Sequence, residues 1–138
     1  MDERRLENLA VSLGTPSYVF DTDVLKARAA WVAESLRPAR ICFAIKANPF
    51  LVGALDAHVD RYEVCSPGEF HICVQNGFDM DKIVLSGVNK EYEDVRYAME
   101  QGVVHYTAET KSQAALVHRS AAELGKRLEI LLRVTSGT

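Results

Sequence analysis

Basic residues are not in excess in this chain. Its 138 residues include 16 Lys and Arg against 19 Asp and Glu, a net charge of −3. No basic patch therefore points to nucleic acid. Cysteine is scarce: Cys42, Cys65 and Cys73 are scattered and form neither a metal-type pair nor a disulfide framework. All three fall in stretches that read as buried, where a free thiol behaves as a small hydrophobe, and this favours a reducing cytoplasm. No apolar run is long enough to cross a membrane. The opening Met-Asp-Glu-Arg-Arg-Leu-Glu has no apolar core that would serve as a signal peptide. What remains has the apolar and charged content of a globular protein, and one domain is expected at this length.

The stretch at 40–49, Arg-Ile-Cys-Phe-Ala-Ile-Lys-Ala-Asn-Pro, stands out. It reads as a strand buried on both faces, with a single charge, Lys46, near its far end. Burying an ammonium is costly unless it is paired or neutralised. A desolvated lysine loses its proton more easily, and the neutral amine can attack a carbonyl. The plain alternative is a strand-end lysine reaching into solvent.

The other elements follow in order. Residues 1–14 read as a short polar helix stopped by Gly14, and 17–20 as a short strand. Asp21, Thr22 and Asp23 offer caps for an amphipathic helix over about 23–36, with Leu25, Ala29, Val32 and Leu36 on one face. Trp31 reads as a packing residue on that helix. After the Lys46 strand, Pro49 opens a helix carrying Leu51, Val52, Leu55 and Val59. A strand at 62–65 leads into Ser66-Pro67-Gly68-Glu69, which reads as a cap, a first-turn proline and a capping-box acid. Strands at 82–87, 103–107 and 128–134 alternate with helices at 91–101 and 109–124. Alternating strands and helices predict a parallel α/β sheet, because parallel neighbours need a crossover. Two architectures fit, a doubly wound open sheet and a (β/α)8 barrel. No Gly-rich dinucleotide fingerprint follows the first strand. In a barrel the strand ends would bring Lys46, Glu63 with Ser66, Ser86, Thr107, and Arg133 with Thr135 towards one mouth.

The motifs together carry a resemblance. Thr-Pro-Ser-Tyr-Val-Phe-Asp at 15–21 resembles the opening segment of the fold type III pyridoxal-phosphate (PLP) decarboxylases. Phe-Ala-Ile-Lys-Ala-Asn-Pro at 43–49 is similar to their Schiff-base motif. Tyr-Glu-Val-Cys-Ser-Pro-Gly-Glu at 62–69 resembles their second-strand motif, where the acid is more often Asp. Ile-Val-Leu-Ser-Gly-Val-Asn-Lys at 83–90 and Leu-Leu-Arg-Val at 131–134 fit the third and fifth barrel strands. Within the family the likeness is nearest to the diaminopimelate decarboxylases and their amino-acid decarboxylase relatives. The resemblance implies the N-terminal part of a PLP-binding (β/α)8 TIM barrel, about five β/α units, over 23–138, preceded by a helix and strand over 1–22.

It also implies roles. Lys46 would form the Schiff base with PLP, the electron sink that makes decarboxylation feasible. Glu63 would lie near the cofactor and orient the amine or relay a proton; as a structural residue it would partner a barrel Arg or Lys. Arg133 would bond cofactor oxygens beside the ring; as a structural residue it would form an ion pair inside the barrel. Ser66 and Ser86 read as caps or turn residues. His58, His71, His105 and His118 match no family motif, and Cys65 reads as a small buried residue close to the site. No metal is implied.

A complete barrel needs eight strands and about 250 residues. The family's ring-stacking His, Gly-rich phosphate loop, acid facing the pyridine nitrogen and C-terminal β-domain are not found after Arg133. The family also uses residues of a second subunit, so a homodimer is implied. The chain is therefore expected to be the N-terminal third of a cytoplasmic amino-acid decarboxylase that acts on a small-molecule substrate, and to be inactive alone. An amino-acid racemase on the same barrel, or a non-catalytic half-barrel interaction module, are the alternatives. An unclosed sheet is expected to self-associate, and PLP retention to be weak.

Overall fold

The computed structural model describes residues 2–134. Thr135, one of the expected strand-end groups, lies outside them. Helix α1 (Glu3–Leu13) is capped by Asp2, whose carboxylate accepts from Arg5 N–H at 2.8 Å, and it buries no residue. The strand expected over 17–20 is not formed. That stretch is exposed and has no sheet partner. Its residues suit a strand, but a strand exists only where another backbone accepts its ladder bonds. Helix α2 (Thr22–Ser35) begins where expected, with the Asp21 carboxylate accepting from the Asp23 and Val24 N–H groups. Leu25 and Ala29 pack against the core. Trp31 does not: it is exposed, with the Arg28 guanidinium 4.3 Å over its ring.

Five strands form the sheet: β1 (Cys42–Ala44), β2 (Arg61–Val64), β3 (Ile83–Leu85), β4 (His105–Ala108) and β5 (Glu129–Leu132). They pair in sequence order and all in parallel. This order settles the architecture. A doubly wound sheet reverses its strand order at a switch point. An unbroken sequential order, with right-handed crossovers, keeps the helices on one face, as in a barrel. The crossovers are α3 (Val52–Leu55), α4 (Pro67–Gln75), α5 (Tyr92–Glu100) and α6 (Lys111–Glu123). The Pro49 segment is shorter than expected, a 3-10 turn and then the single turn α3, yet it still buries Val52, Leu55 and the following Val59.

The two faces of the sheet differ in chemistry. Tyr62, Val64, Ile83, Leu85 and Tyr106 join Phe70, Cys73, Val95, Ala98, Met99 and Val117 of the helices in one core. Alternation puts the other residues of each strand on the opposite face. There Ala44, Glu63, Val84, His105 and Glu129 lie in one in-register row. His105 Nδ1 is 2.7 Å from Glu129 Oε2, so the histidine that matched no motif is a paired residue of this face. The thiols also depart from expectation: Cys73 is buried, Cys65 is half-buried and Cys42 is exposed. Cys42 leads β1, which has a neighbour on one side only, and it faces away from the helices.

Candidate active site

Parallel strands bring all their C-terminal ends to one rim. The β1 end carries Lys46. The strand is shorter than expected, and Lys46 stands just beyond it in the 3-10 turn Ile45–Ala47. Ile45 is completely buried and Lys46 is exposed. The expectation of a desolvated lysine in a doubly buried strand is therefore corrected. The apolar neighbour takes the core position, and the long cation is left facing the open side of the rim. Among the described residues no carboxylate lies within ion-pair distance of Lys46, so its amine is not tied down.

The β2 end carries Cys65 and Ser66. Ser66 caps α4, its hydroxyl accepting from Glu69 N–H at 3.3 Å. The Glu69 carboxylate reaches one residue further back than a capping box requires and accepts from Cys65 N–H at 2.8 Å. Burial, with the nearby Glu63 and Glu69 charges, pushes the Cys65 thiol up; Lys46 and Lys90 oppose this. Cys65 thus lies in the field of both lysines and both acids. Glu63 is half-buried in the row just below, on the open face.

The β3 end is built closely against β2. Ser86 N–H donates to Val64 O at 2.7 Å, and the Thr107 hydroxyl donates to the Ser86 hydroxyl at 3.2 Å. Gly87 follows with φ +94°, and a Cβ there would stand 2.3 Å from the Cys65 carbonyl oxygen. Only a glycine fits that approach. Lys90, 9% exposed, donates its ammonium to the Gly87 carbonyl. Burial pulls its pKa down, while Glu109 and Cys65 pull it up. The β4 end carries Glu109, and the β5 end carries Arg133, whose Nη1 lies 3.2 Å from Glu109 Oε1.

The structure thus brings Lys46, Glu63 and Cys65 into one neighbourhood, and sets Arg133 apart at the far end of the rim. Four interstrand spacings separate the β1 and β5 ends, about 19 Å along a flat sheet and less along a curved one. Lys90, Glu109 and Gln113 escaped the sequence reading. A polar residue in a loop reads as solvated until the fold shows what it faces. The described residues hold no cluster of three or more His, Cys, Asp or Glu placed to bind a metal. No helix among them is long and apolar enough to cross a membrane.

The donor set suits a phosphorylated aldehyde cofactor in part. A primary amine free of an acid partner is the group that captures an aldehyde, and a guanidinium on the same rim bonds anionic oxygens. Glycine at Gly87 lets the rim close tightly without side-chain bulk.

Comparison with known proteins shows the family and the fold. Residues 22–138 match the family model described as "Pyridoxal-dependent decarboxylase, pyridoxal binding domain". The chain is 38% identical over 137 residues to a diaminopimelate decarboxylase of Pseudomonas fluorescens, covering 94% of this chain and 32% of that protein. It superposes on the diaminopimelate decarboxylase of Helicobacter pylori complexed with L-lysine, at 27% identity and a TM-score of 0.75, over 94% of this chain and 34% of that one. A structure of SrLDC in complex with PLP and cadaverine shares the fold at a TM-score of 0.82 and 19% identity, over 98% of this chain and 35% of that one. The chain spans about a third of the length of the curated relatives it matches, for example 31% and 32% of two of them.

Proposed function

The chain belongs to the pyridoxal-dependent decarboxylases, in their pyridoxal-binding domain, and on that premise we propose that Lys46 carries PLP in an amino-acid decarboxylase of the diaminopimelate decarboxylase kind. The observation that carries the reading is Lys46 itself: an exposed amine with no acid partner among the described residues, at the C-terminal end of the first strand of a barrel-wound sheet. Relatives named diaminopimelate decarboxylase, one of them 38% identical, support that substrate and a place in lysine biosynthesis.

When bound, the cofactor supplies an electron sink for the pair released as carbon dioxide leaves. The chain's own residues do the rest. Lys46 offers the amine. Glu63, half-buried on the open face below, would orient that amine or relay its proton; its closeness to the Cys65 and Cys42 thiols supports this role. Cys65, with its pKa raised, stays a neutral thiol at neutral pH and adds no competing anion. Arg133 offers a permanent cation to ring or phosphate oxygens. Phe50, 89% exposed, and Val88, 76% exposed, flank the Lys46 and Lys90 turns, which fits a mouth covered by a second copy in a homodimer. Three free thiols fit a reducing cytoplasm.

The test is chemical. The chain is incubated with PLP, reduced with borohydride and digested, and the modified lysine is identified by mass. The label is expected on Lys46, and Lys46→Ala is expected to remove it. A label spread over surface lysines, unchanged in Lys46→Ala, would reject the reading.

A further inference from the structure

Arg133 is placed by its backbone but not held by it. It is the first residue beyond β5, and its N–H donates to Ala108 O at 2.9 Å, which pins the chain beside the β4 end. Its side chain is 69% exposed. An arginine so exposed loses much rotamer freedom when it is held in one place. Something must therefore choose its direction. Among the described residues the guanidinium bonds one group, the Glu109 carboxylate at 3.2 Å.

Glu109 is itself well fixed. Its N–H donates to Gln113 Oε1 at 2.8 Å, and Gln113 Nε2 donates to Val88 O at 2.8 Å. Gln113 thus ties the turn after β4 to the loop after β3. The carboxylate is only 25% exposed. Lys90, held in place by the Gly87 carbonyl, is near enough for the Glu109 charge to act on it, but the two form no ion pair. The Gln113 clamp fixes the backbone from which the acid projects, and the acid meets the exposed cation.

We infer that Glu109 is a positioning residue: with its backbone clamped by Gln113, it aims the Arg133 guanidinium into the mouth that Lys46 opens on. The inference rests on the reading of Lys46 and Arg133 given above. It adds a residue that does not touch the cofactor and acts only through Arg133. That dependence can be measured.

The experiment is a double-mutant cycle on the full chain, with PLP as probe, read as the concentration that half-saturates the borohydride-fixed label on Lys46. The four proteins are the unsubstituted chain, Glu109→Gln, Arg133→Gln and the double variant. Glu109→Gln keeps the shape of the side chain and removes the charge. An exposed, screened pair contributes modestly, so Glu109→Gln is expected to raise the half-saturating concentration about two- to fivefold. In the Arg133→Gln background the same change is expected to do nothing, and in about 0.5 M salt the effect is expected to shrink. Thermal melting of all four shows whether each folds. An equal loss with and without Arg133 would overturn the inference, as would no loss at all, while leaving the Lys46 label intact. An unsubstituted chain that takes no label on Lys46 overturns the Lys46 reading and this inference together.

Discussion

Gly87→Ala is the sharpest test of how the rim is built. Two costs add. The residue sits at φ +94°, beyond the left-handed well, where a side chain costs about 1–2 kcal/mol. The new Cβ would also lie 2.3 Å from the Cys65 carbonyl oxygen and 3.1 Å from its carbon, both backbone atoms. A carbon and a carbonyl oxygen settle at about 3.3 Å or more, so the ends of β2 and β3 must part by about 1 Å. That movement strains the adjacent 2.7 Å bond from Ser86 N–H to Val64 O, worth about 1 kcal/mol. The sum is about 2–3 kcal/mol. At roughly 4 °C per kcal/mol for a chain of this size, the melting midpoint should fall by about 8–12 °C. Gly77→Ala is the matched control. Gly77 has φ +66° and nothing within 4 Å of a Cβ, so it pays the backbone term alone, about 1 kcal/mol or about 4 °C. Both variants are melted side by side by circular dichroism. Equal shifts would refute the reasoning, for they would mean that the Cys65 carbonyl yields freely and the two strand ends are not locked.

Thiol reactivity should follow burial. At pH 8 an alkylating reagent should modify the exposed Cys42 first and Cys73 only on unfolding, because burial pushes the Cys73 thiol up to about 11; peptide mapping over time decides, and early loss of Cys73 would contradict the core described above. Lys90 should make stability depend on alkaline pH. Its folded pKa lies below the ordinary 10.5, so the unfolded chain binds more protons between the two values. Stability contributed by this group therefore rises as pH climbs through that window and levels off above 10.5. Comparing denaturant midpoints of the parent and Lys90→Met across that range isolates the contribution, and identical slopes would show that Lys90 is not buried.

Much of the fold was legible as local pattern. Asp21 and Ser66 announce their helices because a cap bonds an N–H two or three residues on, well within a short window of sequence. Strand–helix alternation announced a parallel sheet for the same kind of reason. The failures were equally physical. The apolar run from Ile41 to Ile45 hid the fact that β1 ends at Ala44, so that Ile45 takes the core and Lys46 the solvent. The stretch at 17–20 has strand residues but no neighbour. Trp31 has the size of a packing residue and meets Arg28 instead of the core.

The amino-acid sequence by itself determined the alternation of elements, their caps, and the set of short motifs that together resemble the family, since each of these is written in residues close together along the chain. Only the tertiary structure decided the winding of the sheet, the exposure of Lys46, the closeness of Gly87 to Cys65, and the meeting of Glu109 with Arg133. Each depends on strands separated by whole crossovers coming into register, and which atoms then meet is a property of the packed sheet that no local period encodes.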